Sequence, residues 1–449
     1  MDRNHAITAG DIAAARAAFS ADRGNLIARN AVSAAGIAAA ARNPEAAALA
    51  TTTFDIQLEQ GDITDQKRSG RCWMFASLNT MRYRVMKKLG VKTFELSQAY
   101  PLFWDKLERA NWFFENILAT ADLPLTDREV AYLLTDPLCD GGQWDMFRSL
   151  VKKYGVVPKE AMPETFHSSN TSALNQYLTR YLRAGAKRLR DAHAALADEN
   201  ELSALRTELL GGVWRVLAIC LGEPPTSFDV RIRNEKGELK ASGSYTPQQF
   251  FAEFVDMDLD DYLSVINAPT SDKPYGRSYT VKFLGNVVED GGVRYVNLPM
   301  DALKRMAVAQ LKDGLPVWFG SDVGQSFLSE DGVLDPAAFE VDQLFDLPIE
   351  CGLDKAARLD YGESLMTHAM TLQGVNLDEA GAPTRWRIEN SWGDDHGKKG
   401  YDVASDAWFD EYVYQVVVDK KYLTADELAA FESEPIELAP WDPMGALAD

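Results

Sequence analysis

Asp65-Gln66-Lys67-Arg68-Ser69-Gly70-Arg71-Cys72-Trp73 runs straight into the helix-forming stretch Met74 to Leu89, and this junction decides the fold. Met74, Leu78, Met81, Val85 and Leu89 recur at helical spacing, which predicts one buried face. Gly70 permits a tight turn before the helix, Lys87 and Lys88 complement its carbonyl end, and Gly90 is a plausible stop. Cys72 therefore falls at the helix N-terminus, where unpaired amides and the positive dipole end favour a thiolate, the nucleophilic form. Such a cysteine suits redox sensing as well as catalysis, so the rest of the chain has to decide.

With 449 residues, 46% of them apolar and 25% charged, the chain has the composition of a folded protein of two or three domain-sized units. A formal charge of -21 repels polyphosphate, and no run of Lys and Arg offsets it, so nucleic acid is not an expected partner. Met1 to His5 lack a basic region followed by a leucine-rich core, and the small apolar run at 31–41 is too short for a bilayer. Cysteines at 72, 139, 220 and 351 form no CxxC pair, as suits a reducing compartment. The expectation is a cytoplasmic protein without membrane contact.

Residues 8–50 are alanine-rich and read as two packing helices with a break at Asn43-Pro44. Phe103, Trp104, Trp112 and Phe113 read as core. In Cys139-Asp140-Gly141-Gly142-Gln143-Trp144-Asp145 the paired glycines imply a backbone that something approaches closely. Residues 161–270 read as a helical insertion. Its acidic run from Asp256 has Asp261 where a calcium loop needs Gly and Asn267 where it needs Glu, so a solvated helix end is expected there. From Tyr279 the period changes to that of strands, at 279–284, 293–296, 317–319, 370–375, 385–390 and 412–418. The tail beyond 422 is acidic, carries Pro435, Pro440 and Pro443, and is expected to be extended.

A thiol nucleophile needs a base, and the base needs an orienting group. Of the five histidines, His5, His167, His193 and His396 read as terminal, surface or packing residues, whereas His368 heads an apolar strand. Asn390 ends the next strand before Ser391-Trp392-Gly393. Its side-chain oxygen can accept from one imidazole nitrogen, with Trp392 shielding the bond, although a plain β-turn explains the same residues. The Gln66 amide can donate to an oxyanion beside the Cys72 amide, or be an ordinary loop glutamine.

Taken in order, Gln66, Cys72-Trp73, Cys139-Asp140-Gly141-Gly142, Thr367-His368-Ala369 and Asn390-Ser391-Trp392-Gly393 resemble the motifs of papain-like cysteine peptidases. Gln66 to Trp73, Phe103 to Glu108, Asp140 to Met146 and Trp441 to Ala448 look like the bleomycin hydrolase/aminopeptidase C family within them. The resemblance implies an α+β fold of two lobes, one helical and one β-barrel-like, with a large helical insertion. It divides the chain into an N-terminal helical segment (1–50), a nucleophile lobe (51–160), the insertion (161–270), a β-rich lobe with His and Asn (271–421) and an arm reaching the cleft (422–449).

It further implies Cys72 as nucleophile, His368 as acid/base, Asn390 as its orienter and Gln66 in the oxyanion hole, with no metal or organic cofactor. Gly141 and Gly142 would hydrogen-bond substrate backbone. Ala448 and Asp449 would block the cleft and offer a carboxylate to the substrate's α-ammonium, giving an aminopeptidase for peptides with free N-termini and for bleomycin-like amides. Secreted relatives pair a cysteine at the position of Ser69 with one at Cys139, so Cys139 is expected to be a free thiol. The family assembles as hexamers. The rival expectations are a papain-like endopeptidase and a catalytically silent ring-forming scaffold.

Overall fold

The computed structural model describes residues 6–48, 53–59, 61–349 and 352–448. The helix Cys72–Leu89 lies at its centre and ends, as expected, on Gly90 in the left-handed region, with Lys87 and Lys88 in the last turn. It is not amphipathic over its first three turns. Every residue from Arg71 to Arg82 is buried, because the helix is sandwiched between the helical lobe and the sheet. The helices Ala99–Ala119, Ser172–Ala194 and Glu199–Leu221 pack together beyond it, with Phe103 and Phe113 in the core and Trp104 packed against it.

The stretch at 161–270 is only partly helical. Phe228–Arg233 and Leu239–Tyr245 form an antiparallel hairpin, and Tyr262–Ile266 already belongs to the large sheet. The alternation in 228–245 is interrupted by glycine and charge, which hid the hairpin in the sequence. The acidic run after 255 is a short turn, with Asp258 capping the 3-10 helix Leu259–Asp261.

Twelve strands join in one mixed sheet. Val413–Asp419 pairs with Tyr262–Ile266 and with Val317–Ser321. The latter pairs with His368–Leu377, followed by Pro383–Glu389 and Tyr401–Ser405. The register places His368 opposite Ser321 and Asp402 opposite Ile388. One apolar cluster fills the space between the sheet and the helical lobe, while Met300–Lys312 covers a second cluster that includes Val317, Phe319 and Met370.

Both ends of the chain depart from expectation. The described part of the N-terminal segment forms four helical pieces, and Ala9–Ala21 and Arg23–Ala35 have no fully buried residue, although Leu26 and Val32 of the second are half-buried. The tail is not simply extended. It forms the helix Ala425–Glu432, then Ile436–Leu438 as a parallel strand beside Arg277–Val281, then the 3-10 helix Pro443–Ala448. Met444, Leu447 and Ala448 lie in the same apolar cluster as Cys72 and Trp73. Lys273 anchors this arm through Asp442 at 2.8 Å, and Arg128 lies over the Trp441 ring at 3.6 Å.

Arg82 and Glu389 fasten the central helix to the sheet through a 2.5 Å ion pair between side chains 2% and 0% exposed. Removing one member leaves a buried charge without its partner, so Arg82→Met is expected to lower the unfolding free energy by roughly 3–5 kcal/mol. Urea denaturation at fixed protein concentration reads this out.

Candidate active site

Cys72 opens the central helix, where the amides of Ala369, Trp73 and Cys72 itself favour an ionised sulfur. Ala369 follows His368, and the strand that carries the imidazole packs against the helix that carries the thiol. His368 Nε2 lies 2.9 Å from Asn390 Oδ1, which leaves Nδ1 as the ring nitrogen available to the thiol. The Trp392 ring lies over the imidazole with centroids 4.7 Å apart and planes at 33°, covering the His368–Asn390 bond.

Gln66 is no ordinary loop residue. Its Nε2 donates to Ser69 O at 2.7 Å, and its Oε1 accepts from the Ser391 hydroxyl at 2.6 Å, an arrangement that fixes the amide's direction. Ser391 N–H in turn donates to Asn390 Oδ1 at 2.8 Å. Gln66 N–H bonds Ser391 O and Gly393 N–H bonds Thr64 O, so 64–66 and 391–393 run as a short two-stranded zipper. Ser391 thus links Asn390 to Gln66, which lies 325 positions before the serine in sequence. Sequence reasoning saw the Asn-Ser-Trp-Gly turn but not this role, since a serine in a turn carries no mark of a distant partner.

Asp140 was also missed. It accepts from Gly70 N–H at 3.0 Å, Lys106 Nζ at 2.7 Å and Asn175 Nδ2 at 2.7 Å, and also from the Thr171 hydroxyl, while its carbonyl takes the Trp73 indole N–H. Burial opposes its charge, but Lys106 and these donors hold the carboxyl well below the usual range. The loop before Cys72 is thereby bonded to the loop bearing the glycines. Behind Asn390 stands Asp402, fully buried, with Oδ2 accepting from Asn390 Nδ2 at 2.9 Å and Oδ1 3.2 Å from His396 Nε2.

The close approach implied by the paired glycines comes from the chain's own arm. Gly142 N–H donates to Leu447 O at 3.0 Å. A Cβ on Gly141 would fall 2.2 Å from Leu447 O, and one on Gly142 would fall 2.5 Å from the Trp73 ring. Cys139 is a free thiol, as are Cys72 and Cys220, while Cys351 lies outside the described residues. The Cys139 thiol donates to Ala448 O at 2.5 Å and receives Arg109 Nη1 at 3.0 Å. Asp449 lies outside the described residues.

Burial acts against the thiolate that the helix dipole favours. Burial pushes the Cys72 thiol up to about 11, against the three amides that lower it, and pushes the His368 imidazole down to about 4. Burial thus disfavours the charged form of both groups, and Met444, Leu447 and Ala448 of the arm belong to the apolar cluster that includes Cys72. Alkylation of Cys72 by iodoacetamide, which needs the thiolate, is therefore expected to keep accelerating as pH rises beyond 9. Deleting 441–449 should shift the pH–rate curve to lower pH, and an unshifted curve would contradict the assigned cause.

A model of the peptidase C1-like family matches residues 6–445. An aminopeptidase C of Streptococcus thermophilus is 54% identical over 395 residues, 88% of each chain. An aminopeptidase C of Lactobacillus delbrueckii subsp. lactis is 47% identical over 94% of each chain. The crystal structure of PepW from Lactobacillus rhamnosis HN001 superimposes with a TM-score of 0.96 at 49% identity, covering 98% of this chain and 99% of that one. With the α+β fold, the central cysteine helix and the His–Asn pair in place, the chain belongs to the peptidase C1-like family, among the papain-like cysteine peptidases of the bleomycin hydrolase/aminopeptidase C group.

Proposed function

We propose that Cys72, His368, Asn390 and Gln66 carry the reaction of this cysteine-type aminopeptidase, and that the C-terminal arm makes it an exopeptidase. The Cys72 proton passes to His368 Nδ1 as sulfur attacks the carbonyl of the first peptide bond. The tetrahedral oxyanion forms between the Cys72 amide at the helix start and the second Nε2 hydrogen of Gln66. His368 then gives its proton to the leaving amine, which departs as the shortened peptide and leaves a thioester on Cys72. Water, deprotonated by His368, attacks the thioester. Its collapse releases the N-terminal residue as a carboxylic acid and returns the proton to sulfur. None of these steps calls for a metal or organic cofactor. Asn390 holds the ring, and Trp392 keeps water from the hydrogen bond between them.

One observation carries the exopeptidase part: Leu447 O occupies the Gly142 N–H, where a substrate backbone adds as a strand in β-augmentation. An arm seated there leaves room for the first substrate residue only, and Ala448 with anionic Asp449 can receive a free α-ammonium. The division of labour follows the chain: nucleophile in 51–160, an insertion that starts at 161 and ends before the sheet strand Tyr262–Ile266, base and orienter in the β-rich lobe up to 421, and an arm from 422. Amide bonds of bleomycin-like compounds fall within the same chemistry. Matched peptides with free and acetylated amino termini test the charge pairing, the free form being expected to react at least about 10-fold faster. Equal rates, or internal cleavage by the intact chain, would favour a papain-like endopeptidase. Loss of all turnover on Cys72→Ala is required under either enzymatic account.

The assembly proposed is a homohexamer in the cytoplasm. Its support is that Ala9–Ala21 and Arg23–Ala35 have no fully buried residue and expose Ile12, Phe19 and Ile27. Three free cysteines suit a reducing setting. Among the described residues no helix is long and apolar enough to cross a membrane. Phe19→Glu with Ile27→Glu is expected to move the sedimentation velocity peak to smaller species without changing the circular dichroism spectrum.

A further inference from the structure

We propose that Asp402 is a positioning residue for the Cys72 reaction: together with the Ser391 N–H that donates to Asn390 Oδ1 at 2.8 Å, it sets which end of the Asn390 amide faces His368. The oxygen and nitrogen ends of a primary amide have nearly the same shape, so packing alone does not choose between them. An ionised carboxylate only accepts hydrogen bonds. Asp402 Oδ2, 2.9 Å from Asn390 Nδ2, therefore draws the NH2 end towards itself and leaves Oδ1 for His368 Nε2 at 2.9 Å. With an acceptor opposite Nε2, the ring carries its proton there and keeps Nδ1 bare for the thiol. A turned amide would face NH2 to the ring, favour the other tautomer and remove the base.

The surroundings hold Asp402 to this task. It sits opposite Ile388 in the ladder, two residues from Asn390, and Asn390 N–H bonds Gly400 O at 3.2 Å, so both backbones are tied to one loop. A Cβ on Gly332 would fall 3.0 Å from Asp402 Oδ1 and one on Gly397 2.7 Å, so glycines on two sides make room for the carboxylate. His396, 3.2 Å away and edge-on to the Trp392 ring, closes the remaining side. The negative charge also favours the protonated imidazole, against burial and His396, which disfavour it. The sequence assigned Asp402 nothing, and His396 was taken for a packing residue of a polar loop.

This inference rests on His368 serving as base to Cys72. The test exchanges the two polar ends and measures kcat and KM on a free-amine dipeptide with the full-length enzyme. Asn390→Asp alone sets two carboxylates face to face and is expected to lower kcat by roughly 100-fold. Adding Asp402→Asn restores a donor towards position 390 and should recover at least about 10-fold of that loss, with KM changing less than about twofold. A purely structural aspartate gives no such rescue. A double variant as slow as Asn390→Asp, with both as folded as the wild type by thermal unfolding, overturns the proposal. As a second measure, Asp402→Leu should lower kcat about 10-fold in the wild type but less than about twofold on an Asn390→Ala background. Equal effects on both backgrounds also overturn it. Cys72→Ala measured alongside separates the two levels. Its retained turnover would remove the underlying reaction, whereas a dead Cys72→Ala with an exchange that does not compensate removes the role of Asp402 alone.

Discussion

Seating the Cys72–Leu89 helix against the His368–Leu377 strand is the constraint on which the site depends. Twelve consecutive residues from Arg71 to Arg82 are closed off from water. Such a helix cannot shift without breaking contacts on both of its sides. Polar ties fix its rotation: Arg82 to Glu389, Thr371 Oγ1 to Ala76 O, and the Trp318 indole to Trp73 O. Glu389 is the residue before Asn390, so the ion pair that holds the helix also fixes the strand end where the imidazole finds its partner. A buried pair of this kind contributes little net stability relative to apolar packing, but it penalises misplacement heavily.

The same burial sets the chemistry. At an open helix N-terminus the dipole and the free amides would lower the Cys72 thiol. Buried in the folded chain, the thiol and the imidazole are both pushed towards their neutral forms. Ionising the two together costs less than ionising either alone, since each charge then has its partner. Met444, Leu447 and Ala448 of the arm belong to the same core as Cys72, so the end of the arm is part of the packed structure.

Much of the site could be read from the chain because its parts are short and carry their chemistry locally. A cysteine before a helix-forming run, two glycines that invite a neighbouring backbone, a histidine heading an apolar strand and an asparagine closing the next each announce a local requirement. What escaped were residues whose meaning lies in a distant partner: Ser391 for Gln66, Asp140 for Gly70 and Lys106, Asp402 for Asn390. The hairpin at 228–245 escaped for a different reason, its period-two pattern being broken by Gly237, Gly243 and several charges. The exposure of Ala9–Ala35 escaped too, because an alanine-rich helix has the same pattern whether it packs on its own chain or on another.

The sequence by itself determined the fold class, the order of the functional groups along the chain and the identity of the nucleophile's neighbours, because periodicity and residue type are properties of short segments. Only the tertiary structure decided the burial of Cys72, the partner of Gly142 and the direction of the Asn390 amide. Burial, a tail lying across a distant loop and an acceptor-only carboxylate behind an amide are relations between segments tens to hundreds of residues apart. The low dielectric that makes those relations strong exists only once the segments have packed together.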